Sequence, residues 1–475
     1  MKQSHSTHNL EILPLNDKIS SENYFLNSFL GSHFLFWLLF STLFLLVESI
    51  KLHAPETFND HSWSNYGRIH HAAQLCLFGA ITEGLLWIGF SQIVSAGQYL
   101  ERYKTIIKIS ICFINLAILI GIIEILSGNT EHGTSIFPLF SLLLFSFGIL
   151  LLTPLLWKTL LRIESLTPSL LFSSLSFWIL PLSLTTIVTL SLNGFLKGAY
   201  GAWMLSWFSH HFTSLFLFPL GISAFLDYIQ QATQKPLRDP RSLRIAFWTY
   251  TFSNFLISSD LTGSPLTFIP AWLRALDTVG SVFSSFSIFI ILRSVYLHVK
   301  PSFATLKCEI SFAFFSFSAL SLILLTILKA VLSFQTIDQW VQFTSLSNAL
   351  QTLFLFGFLI MILFAWIYNQ SPIQLHRVWA SPSLIQTHFW LASLSTGLTA
   401  LGFFSAGAIQ TYQNTVLDIP FLDTVILIKP FLWIQSLSLV FQFSGTLMIS
   451  LLFTLLLFNW KPDPKTSMFA NPTAS

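Results

Sequence analysis

Long stretches without a charged residue recur along the whole chain. Residues 23–47 form one such stretch between Glu22 and Glu48, and residues 132–157 form another between Glu131 and Lys158. Each is longer than the roughly 20 apolar residues that cross a bilayer as an α-helix. The pattern predicts an all-α, polytopic membrane protein.

We predict twelve membrane-spanning helices joined by short connections. They cover residues 27–49, 73–95, 106–127, 135–157, 169–193, 200–227, 244–262, 276–297, 309–333, 342–368, 387–411 and 428–458. The chain then divides into an N-terminal tail (1–24), a twelve-helix membrane domain (25–460) and a C-terminal tail (461–475). The first 22 residues show no short apolar core followed by a small-residue cleavage site, so we expect the first helix to act as the insertion signal.

The basic residues predict the orientation of these helices. Twelve spans put both termini on one side. The opposite side then holds six of the 23 Lys and Arg residues, namely Lys51, Arg68, Lys197, Arg274, Lys329 and Lys429, and the terminal side holds the other 17. By the positive-inside rule both termini are cytoplasmic. We expect a multi-pass protein of a bacterial inner membrane, with the lipid bilayer as its first partner.

Composition excludes several other classes of protein. Only 9% of the residues are charged, 53% are hydrophobic and the mean hydropathy is +0.69, whereas soluble chains carry roughly a quarter charged residues. The net charge of +3 is too small to indicate a nucleic-acid partner. The three cysteines lack metal-ligand spacing, so neither a zinc site nor a disulfide framework is expected.

Ionisable side chains inside such apolar runs are candidate functional residues, because they are costly to keep in a membrane. His70 and His71 open the second predicted helix, and His210 lies about ten residues into the sixth. With the predicted orientation, all three lie in the outer half of the membrane, so they can share a site. Glu83 lies in the middle of the second helix.

Short motifs at matching spacing resemble the catalytic subunit of the haem-copper oxidases, specifically the cbb-type (C-family) enzymes and the related nitric oxide reductases. Residues 63–69 (WSNYGRI) resemble the W-[ST]-x-[FY]-G-R-[LI] that leads into helix 2, and residues 207–210 (WFSH) resemble the W-[YF]-G-H of helix 6. Residues 269–272 (IPAW), 329–331 (KAV) with Trp340, and 388–392 (HFWLA) followed by 406–407 (AG) resemble motifs of helices 8 to 11. The resemblance covers most of the chain and implies a subunit I-like bundle.

The resemblance also implies a set of histidine ligands. A family member binds a low-spin haem between a helix 2 His and a helix 10 His. A second helix 10 His holds a high-spin haem, which faces a copper bound by one helix 6 His and an adjacent His pair after helix 7. Neutral imidazoles suit both metals.

This chain departs from most of that set. Thr262 and Gly263 stand at the positions of the His pair, and Thr344 and Leu346 stand at the two helix 10 positions. None of these four side chains can replace an imidazole. His210 keeps the helix 6 copper-ligand position, which we expect to be unoccupied without its partners.

The second helix leaves two candidate haem ligands. The nitric oxide reductase pattern R-x-x-H falls on His71, with His70 as the alternative, whereas the cbb-type pattern falls near Ala73. We expect no cofactor, and a haem held by His71 is the alternative. For Glu83, a proton path or polar pocket competes with a hydrogen bond to Thr82 or to a facing Ser.

Three functions follow from this pattern. The first is a ligand-depleted, cbb-type subunit I-like protein with a structural or regulatory role beside cytochrome-type respiratory subunits. The second is a haem-binding oxidoreductase subunit that transfers electrons, and the third is a transporter that reuses the emptied cofactor cavity. If the cofactors are lost, bulky side chains should fill their space. The candidates are Phe208, Phe212, Phe247, Trp248, Phe343 and Phe354.

Overall fold

Twelve long helices account for nearly all of the structure, a computed structural model that describes residues 24–58, 60–98, 100–129, 137–257, 271–417 and 419–459. They are α1 (Tyr24–His53), α2 (Tyr66–Ser95), α3 (Lys104–Ser127), α4 (Leu139–Leu160), α5 (Pro168–Leu192), α6 (Gly198–Thr233), α7 (Pro240–Leu256), α8 (Trp272–Leu306), α9 (Ile310–Leu332), α10 (Leu346–Leu375), α11 (Pro382–Leu417) and α12 (Leu422–Leu457). A short helix, Gln335–Val341, precedes α10.

Eleven of these helices, in the part of the chain that the structure describes, are long and apolar enough to span a membrane. The twelfth, α7, has 17 described residues and lies where the seventh span was predicted. That predicted span runs on to residue 262, and residues 258–270 lie outside the described ranges. The all-α, multi-span architecture is therefore confirmed. Of the two predicted tails, residue 24 lies within the described ranges, so the tail boundaries stay predictions.

Three helices form the centre of the bundle. In their most apolar stretches 94% of α2, 100% of α6 and 89% of α10 is buried, against 39% to 56% in the other eight spans. A helix that faces protein on all sides is apolar all round, whereas an outer helix gives half of its surface to lipid. The central helices are the three to which the family resemblance assigns haem and copper ligands.

Sequential helices pack beside each other, as short connections require. α12 packs against both α11 and α1, and α2 packs against α1 and α3. Small residues allow close contact: a Cβ on Gly148 of α4 would lie 2.8 Å from the backbone oxygen of Ser110 on α3. Such approaches are typical of helix pairs in membranes.

Two central helices contain π-helical turns. His211–Leu217 is π-helical within α6, and Leu353–Ile360 is π-helical within α10. Each π-helical turn carries more residues than an α-helical turn. The direction of every side chain beyond these turns therefore differs from that of a regular α-helix.

Candidate functional site

The structure places the predicted site residues in separate regions. His70 and His71 lie near the start of α2, and Glu83 lies near its middle. His210 lies on α6 immediately before its π-helical turns. Thr262 and Gly263 lie outside the described residues, so their positions stay predictions.

A cavity lined by both polar and apolar side chains lies between α1, α2, α10, α11 and α12, and we call it the outer cavity. Its volume is about 90 Å³. It is lined by Leu45, Glu48, Leu52, Tyr66, His70, Gln74, Leu77, Asn348, Gln351, Thr352, Leu355, Phe356, Ser395, Thr396, Thr399, Phe403, Gln435, Leu439 and Gln442. It thus lies between helices 2 and 10, where the resemblance implies a low-spin haem. The histidine that lines it is His70 and not His71.

Hydrogen bonds hold His70 in place from both sides. Its Nδ1 lies 2.8 Å from Glu48 Oε1, and its Nε2 lies 2.9 Å from the side-chain nitrogen of Gln74. Tyr66 donates its hydroxyl to the same Glu48 oxygen at 3.4 Å. The ring donates Nδ1–H to the Glu48 carboxylate. Glu48 and His70 thus form a hydrogen-bonded pair at the wall of the cavity.

The residues of the outer cavity do not fit a low-spin haem. Both ring nitrogens of His70 already have hydrogen-bond partners. Across the cavity α10 presents Asn348, Gln351 and Thr352, which are poor iron ligands. The volume of about 90 Å³ is also below the roughly 300 Å³ at which pockets for organic ligands begin.

The two predicted ligand positions before and at the start of α10 are occupied by packing contacts. The Thr344 hydroxyl donates to the backbone oxygen of Val341 at 2.7 Å. Leu346 is 8% exposed and lies against Gly407 of α11, where a Cβ would meet the Leu346 nitrogen at 2.6 Å. Neither residue lines the outer cavity.

His210 is buried against α7. Its Nε2 lies 3.0 Å from the backbone oxygen of Asn254, to which it can donate. The Asn254 side chain in turn donates to the Tyr250 backbone oxygen and to Ser284. Within the described ranges, no three His, Cys, Asp or Glu side chains come together at metal-binding distance. The residues around His210 that the structure describes therefore do not fit copper.

Aromatic side chains pack together beyond His210 on α6 and against α7 and α10, and we call this group the aromatic cluster. It consists of Phe218, Tyr250, Phe354 and Phe358. Phe218 stacks on Tyr250 with ring centroids 5.2 Å apart and on Phe354 at 6.1 Å. The gap left beside them is about 10 Å³, which is at the lower limit for a single water molecule, roughly 10–15 Å³.

Four of the six bulky side chains that were expected to turn inward are buried. Phe208, Phe212, Phe247 and Phe354 are between 0% and 6% exposed. The prediction was wrong for Trp248, which is 56% exposed on α7, and for Phe343, which is 79% exposed before α10. Trp248 follows directly after the buried Phe247, and one residue along a helix turns the side chain by about 100°.

Glu83 belongs to a different set of contacts. It is fully buried, and its Oε1 accepts a hydrogen bond from the Asn115 side chain on α3 at 2.6 Å. Trp37 on α1 donates to the oxygen of the same Asn115 at 2.6 Å. The partner is thus an amide on a neighbouring helix, not Thr82 or a facing Ser. Glu83 ties three helices together and does not line the outer cavity.

An acid lies close to the start of α10. Asp338 is in the short helix Gln335–Val341, and burial raises the pKa of its carboxyl. The nearby positive charge of Arg274 on α8 acts in the opposite direction on that pKa. The two residues thus interact electrostatically between α8 and the segment that leads into α10.

Several residues of the outer cavity had no signal in the sequence. Gln435 and Gln442 look like ordinary polar positions in an apolar run, and only the fold brings them opposite Glu48. Glu48 could have been found, since it is an acid at the end of an apolar run, where a charged group is costly.

The model of the protein family "Cytochrome C and Quinol oxidase polypeptide I" matches residues 30–441 of this chain. The chain belongs to the cytochrome c and quinol oxidase polypeptide I family. No curated protein matches the chain.

Solved structures support the same fold. A haem-copper terminal oxidase dimer, determined by cryo-EM, aligns with a TM-score of 0.62 over 94% of this chain and 84% of that chain. The two sequences are 12% identical. The match therefore supports a subunit I-like bundle, while the roles of individual residues depend on this chain's own geometry.

Proposed function

We propose that this protein is a cbb-type subunit I-like member of the family that has lost the ligands of the haem-copper centre and no longer reduces oxygen. The observation that carries the proposal is the aromatic cluster. Its rings pack between α6, α7 and α10 and leave a gap of about 10 Å³. Thr344 and Leu346, at the expected ligand positions, make contacts within the protein. The motifs on helices 2, 6, 8, 9 and 11 support the cbb-type branch.

A structural or regulatory role in a respiratory-chain complex follows from this proposal. The bundle keeps the helices that carry the family's motifs, including the buried His388 of the helix 11 motif, which is 2.8 Å from the Tyr368 hydroxyl. A bundle that keeps the family fold but lacks a reactive centre suits a partner of cytochrome-type subunits. Affinity purification of the tagged protein from its own membranes should recover such subunits, and recovery of the tagged chain alone would count against this role.

Metal and pigment analysis of the purified protein tests the loss of the centre. We expect copper well below one atom per chain and no high-spin haem spectrum, since Thr262 and Gly263 stand where two further copper ligands are needed beside His210. Stoichiometric copper together with a high-spin haem spectrum would contradict the proposal. Restoring histidine at Thr262, Gly263, Thr344 and Leu346 is not expected to revive oxygen reduction, because the groups that orient metal ligands must be restored too.

The alternative of a retained single haem has a separate readout. A haem absorbance that disappears in His71→Ala or His70→Ala would replace our proposal with an electron-transfer subunit. His298→Ala, which changes a histidine on the cytoplasmic part of α8, is the matched control. We expect no haem absorbance in any of these proteins.

We propose that the protein lies in a bacterial inner membrane with both termini in the cytoplasm. The unequal distribution of Lys and Arg supports this orientation. A reporter enzyme that is active only in the periplasm, fused after Ser475, should be inactive, and the same reporter in the connection between α1 and α2 should be active. The reverse result would overturn the orientation.

A further inference from the structure

The exposed face of α7 combines arginines with aromatic rings. Five exposed residues are spaced three or four positions apart, which puts them on one face of the helix: Arg241, Arg244, Trp248, Phe252 and Phe255. The three aromatic residues are 56%, 65% and 51% exposed, and the rings of Trp248 and Phe252 stack with centroids 5.8 Å apart. The opposite face packs into the bundle, mainly against α8 and also against α5 and α6. The helix thus turns an aromatic stripe with two cations at its start away from the protein.

The ends of α6 and α8 bring further cations to the start of α7. Arg238 donates to the Leu297 backbone oxygen on α8 at 3.4 Å, and Arg293 Nη1 lies 3.9 Å from Asp239 Oδ2. Lys235 and Arg238 both interact electrostatically with a histidine of α8. We call five exposed residues the basic cluster: Lys235, Arg238, Arg241, Arg244 and Arg293. One carboxylate among five cations leaves this surface strongly positive.

The aromatic stripe of α7 is about as long as one leaflet of a membrane is deep. Arg244 and Phe255 are separated by about 16 Å along the helix, at a rise of roughly 1.5 Å per residue. The hydrocarbon core of a bilayer is about 30 Å thick, so one leaflet contributes about half of that. With the basic cluster at the depth of the headgroups, the rings would lie beside acyl chains.

The neighbouring helix α8 repeats this arrangement. Phe286 and Phe289 are 59% and 42% exposed, and the exposed Arg293 follows them after one further turn. Because Arg293 lies near Asp239, the cations of both helices are at the same end. The positive-inside rule accounts for cations in this connection. It does not require them to lie in register with exposed rings on two neighbouring helices.

We propose that this surface binds an anionic phospholipid, with its phosphate at the basic cluster and one acyl chain along Trp248 and Phe252. Arginine forms bidentate hydrogen bonds with phosphate oxygens, and basic clusters at a membrane surface attract anionic lipids. A soluble acidic partner would match the cations alone. The inference does not depend on the state of the haem-copper centre, because the surface lies on the outside of the bundle.

A comparison of two lipids tests the proposal on the unaltered protein. The full-length protein in mild detergent is titrated with dioleoyl phosphatidylglycerol, or with dioleoyl phosphatidylcholine, which has the same chains but no net charge. Native mass spectrometry counts the lipids bound per chain. The first phosphatidylglycerol should bind about tenfold more tightly than the first phosphatidylcholine, because several basic residues attract one anionic headgroup. Equal affinities would overturn the proposal.

Paired variants connect the preference to α7. Arg241→Gln combined with Arg244→Gln should remove most of the preference for phosphatidylglycerol. Lys158→Gln combined with Arg162→Gln is the matched control, because it removes two exposed positive charges at the end of α4. Exposed positions tolerate such changes, and thermal unfolding identifies a variant that does not fold. An equal loss in both pairs would show a general effect of charge and would refute a site on α7.

Photo-crosslinking identifies the occupant in the protein's own membranes. A benzoylphenylalanine in place of Trp248 should form adducts with anionic phospholipid, in a larger proportion than that lipid has in the surrounding membrane. The masses of the adducts measure this proportion. Adducts that match the bulk lipid composition would contradict the proposal. A crosslink to a protein chain would also overturn it and would assign the surface to a partner subunit.

Discussion

The outer cavity and the aromatic cluster lie in the same bundle, yet one is open and the other is filled. The outer cavity keeps about 90 Å³, and its wall combines Glu48, amides and hydroxyls with leucines and phenylalanines. The aromatic cluster leaves about 10 Å³. Hydrogen-bonding groups in a wall can hold water or a ligand, whereas a void between aromatic rings loses packing contacts and stays dry. The comparison connects the space that is left in each region to the side chains that surround it.

The largest expected effect comes from emptying the aromatic cluster. Phe358 is fully buried against Phe218, and Phe358→Ala should reduce the free energy of unfolding by about 3–5 kcal/mol because it leaves a cavity. Phe252→Ala, at a position that is 65% exposed on α7, should change it by about 0.5 kcal/mol or less. Denaturant unfolding in mild detergent measures both. Equal losses would contradict tight packing in the cluster.

In the outer cavity the largest expected loss of stability comes from breaking the contact between His70 and Glu48. His70→Ala removes the donor that faces Glu48 and should cost about 1–3 kcal/mol, because the buried carboxylate loses a hydrogen bond. Adding Glu48→Gln should recover part of that loss, since no charge is then left without its partner. A double-mutant cycle measures the coupling between the two residues. Strictly additive losses would show that the contact contributes nothing to stability.

Larger side chains should reduce stability more in the aromatic cluster than in the outer cavity. Ser214→Leu beside the small gap of the aromatic cluster should cost about 1–3 kcal/mol through overpacking. Thr396→Leu in the outer cavity has space available and should cost about 1 kcal/mol or less. Thermal unfolding of the two variants under one set of conditions makes the comparison. A larger loss for Thr396→Leu would mean that the outer cavity is not open in solution.

The smallest expected effect concerns the start of α7, the helix that carries Tyr250. Asp239 caps this helix by accepting a hydrogen bond from the Ser242 backbone nitrogen at 3.2 Å. Asp239→Ala should cost about 1 kcal/mol of stability. The outer cavity does not contact α7, so the loss of stability from Thr396→Leu should be the same with and without Asp239→Ala.

The cap should also depend on pH. Hydrogen bonds from Ser242 hold the pKa of the Asp239 carboxyl below its usual range. The contribution of the charged cap is therefore complete above the pKa of the unfolded carboxyl, about 3.9, and is lost as the pH falls through the lower pKa of the folded state. Asp239→Asn keeps an acceptor and should remove this dependence, so an unchanged pH profile in the variant would contradict the assignment.

The sequence predicted the bundle well because the membrane imposes simple rules on it. Each span needs about 20 apolar residues and satisfies its own backbone hydrogen bonds, so apolar runs locate the helices within a few residues. The family motifs added the identity of the central helices. The seventh helix is described as far as Leu256, so the predicted end of that span at residue 262 stays a prediction.

Side-chain directions were harder to predict from the sequence. His70 and His71 differ by one position, yet only His70 lines the outer cavity, because one residue corresponds to about 100° of helix rotation. The π-helical turns in α6 and α10 shift the direction of later side chains in a way that regular periodicity does not predict. Contacts between distant residues, such as Glu83 with Asn115, depend on which helices become neighbours.

The aromatic cluster has a consequence for the history of this protein. If the centre was lost as proposed, a descendant that regained the four histidines would still carry Phe218, Phe354 and Phe358 packed between α6 and α10. Shrinking a buried phenylalanine alone costs about 3–5 kcal/mol of stability, and no benefit follows until a cofactor binds. Such packing therefore resists a return to a metal-binding centre by single mutations.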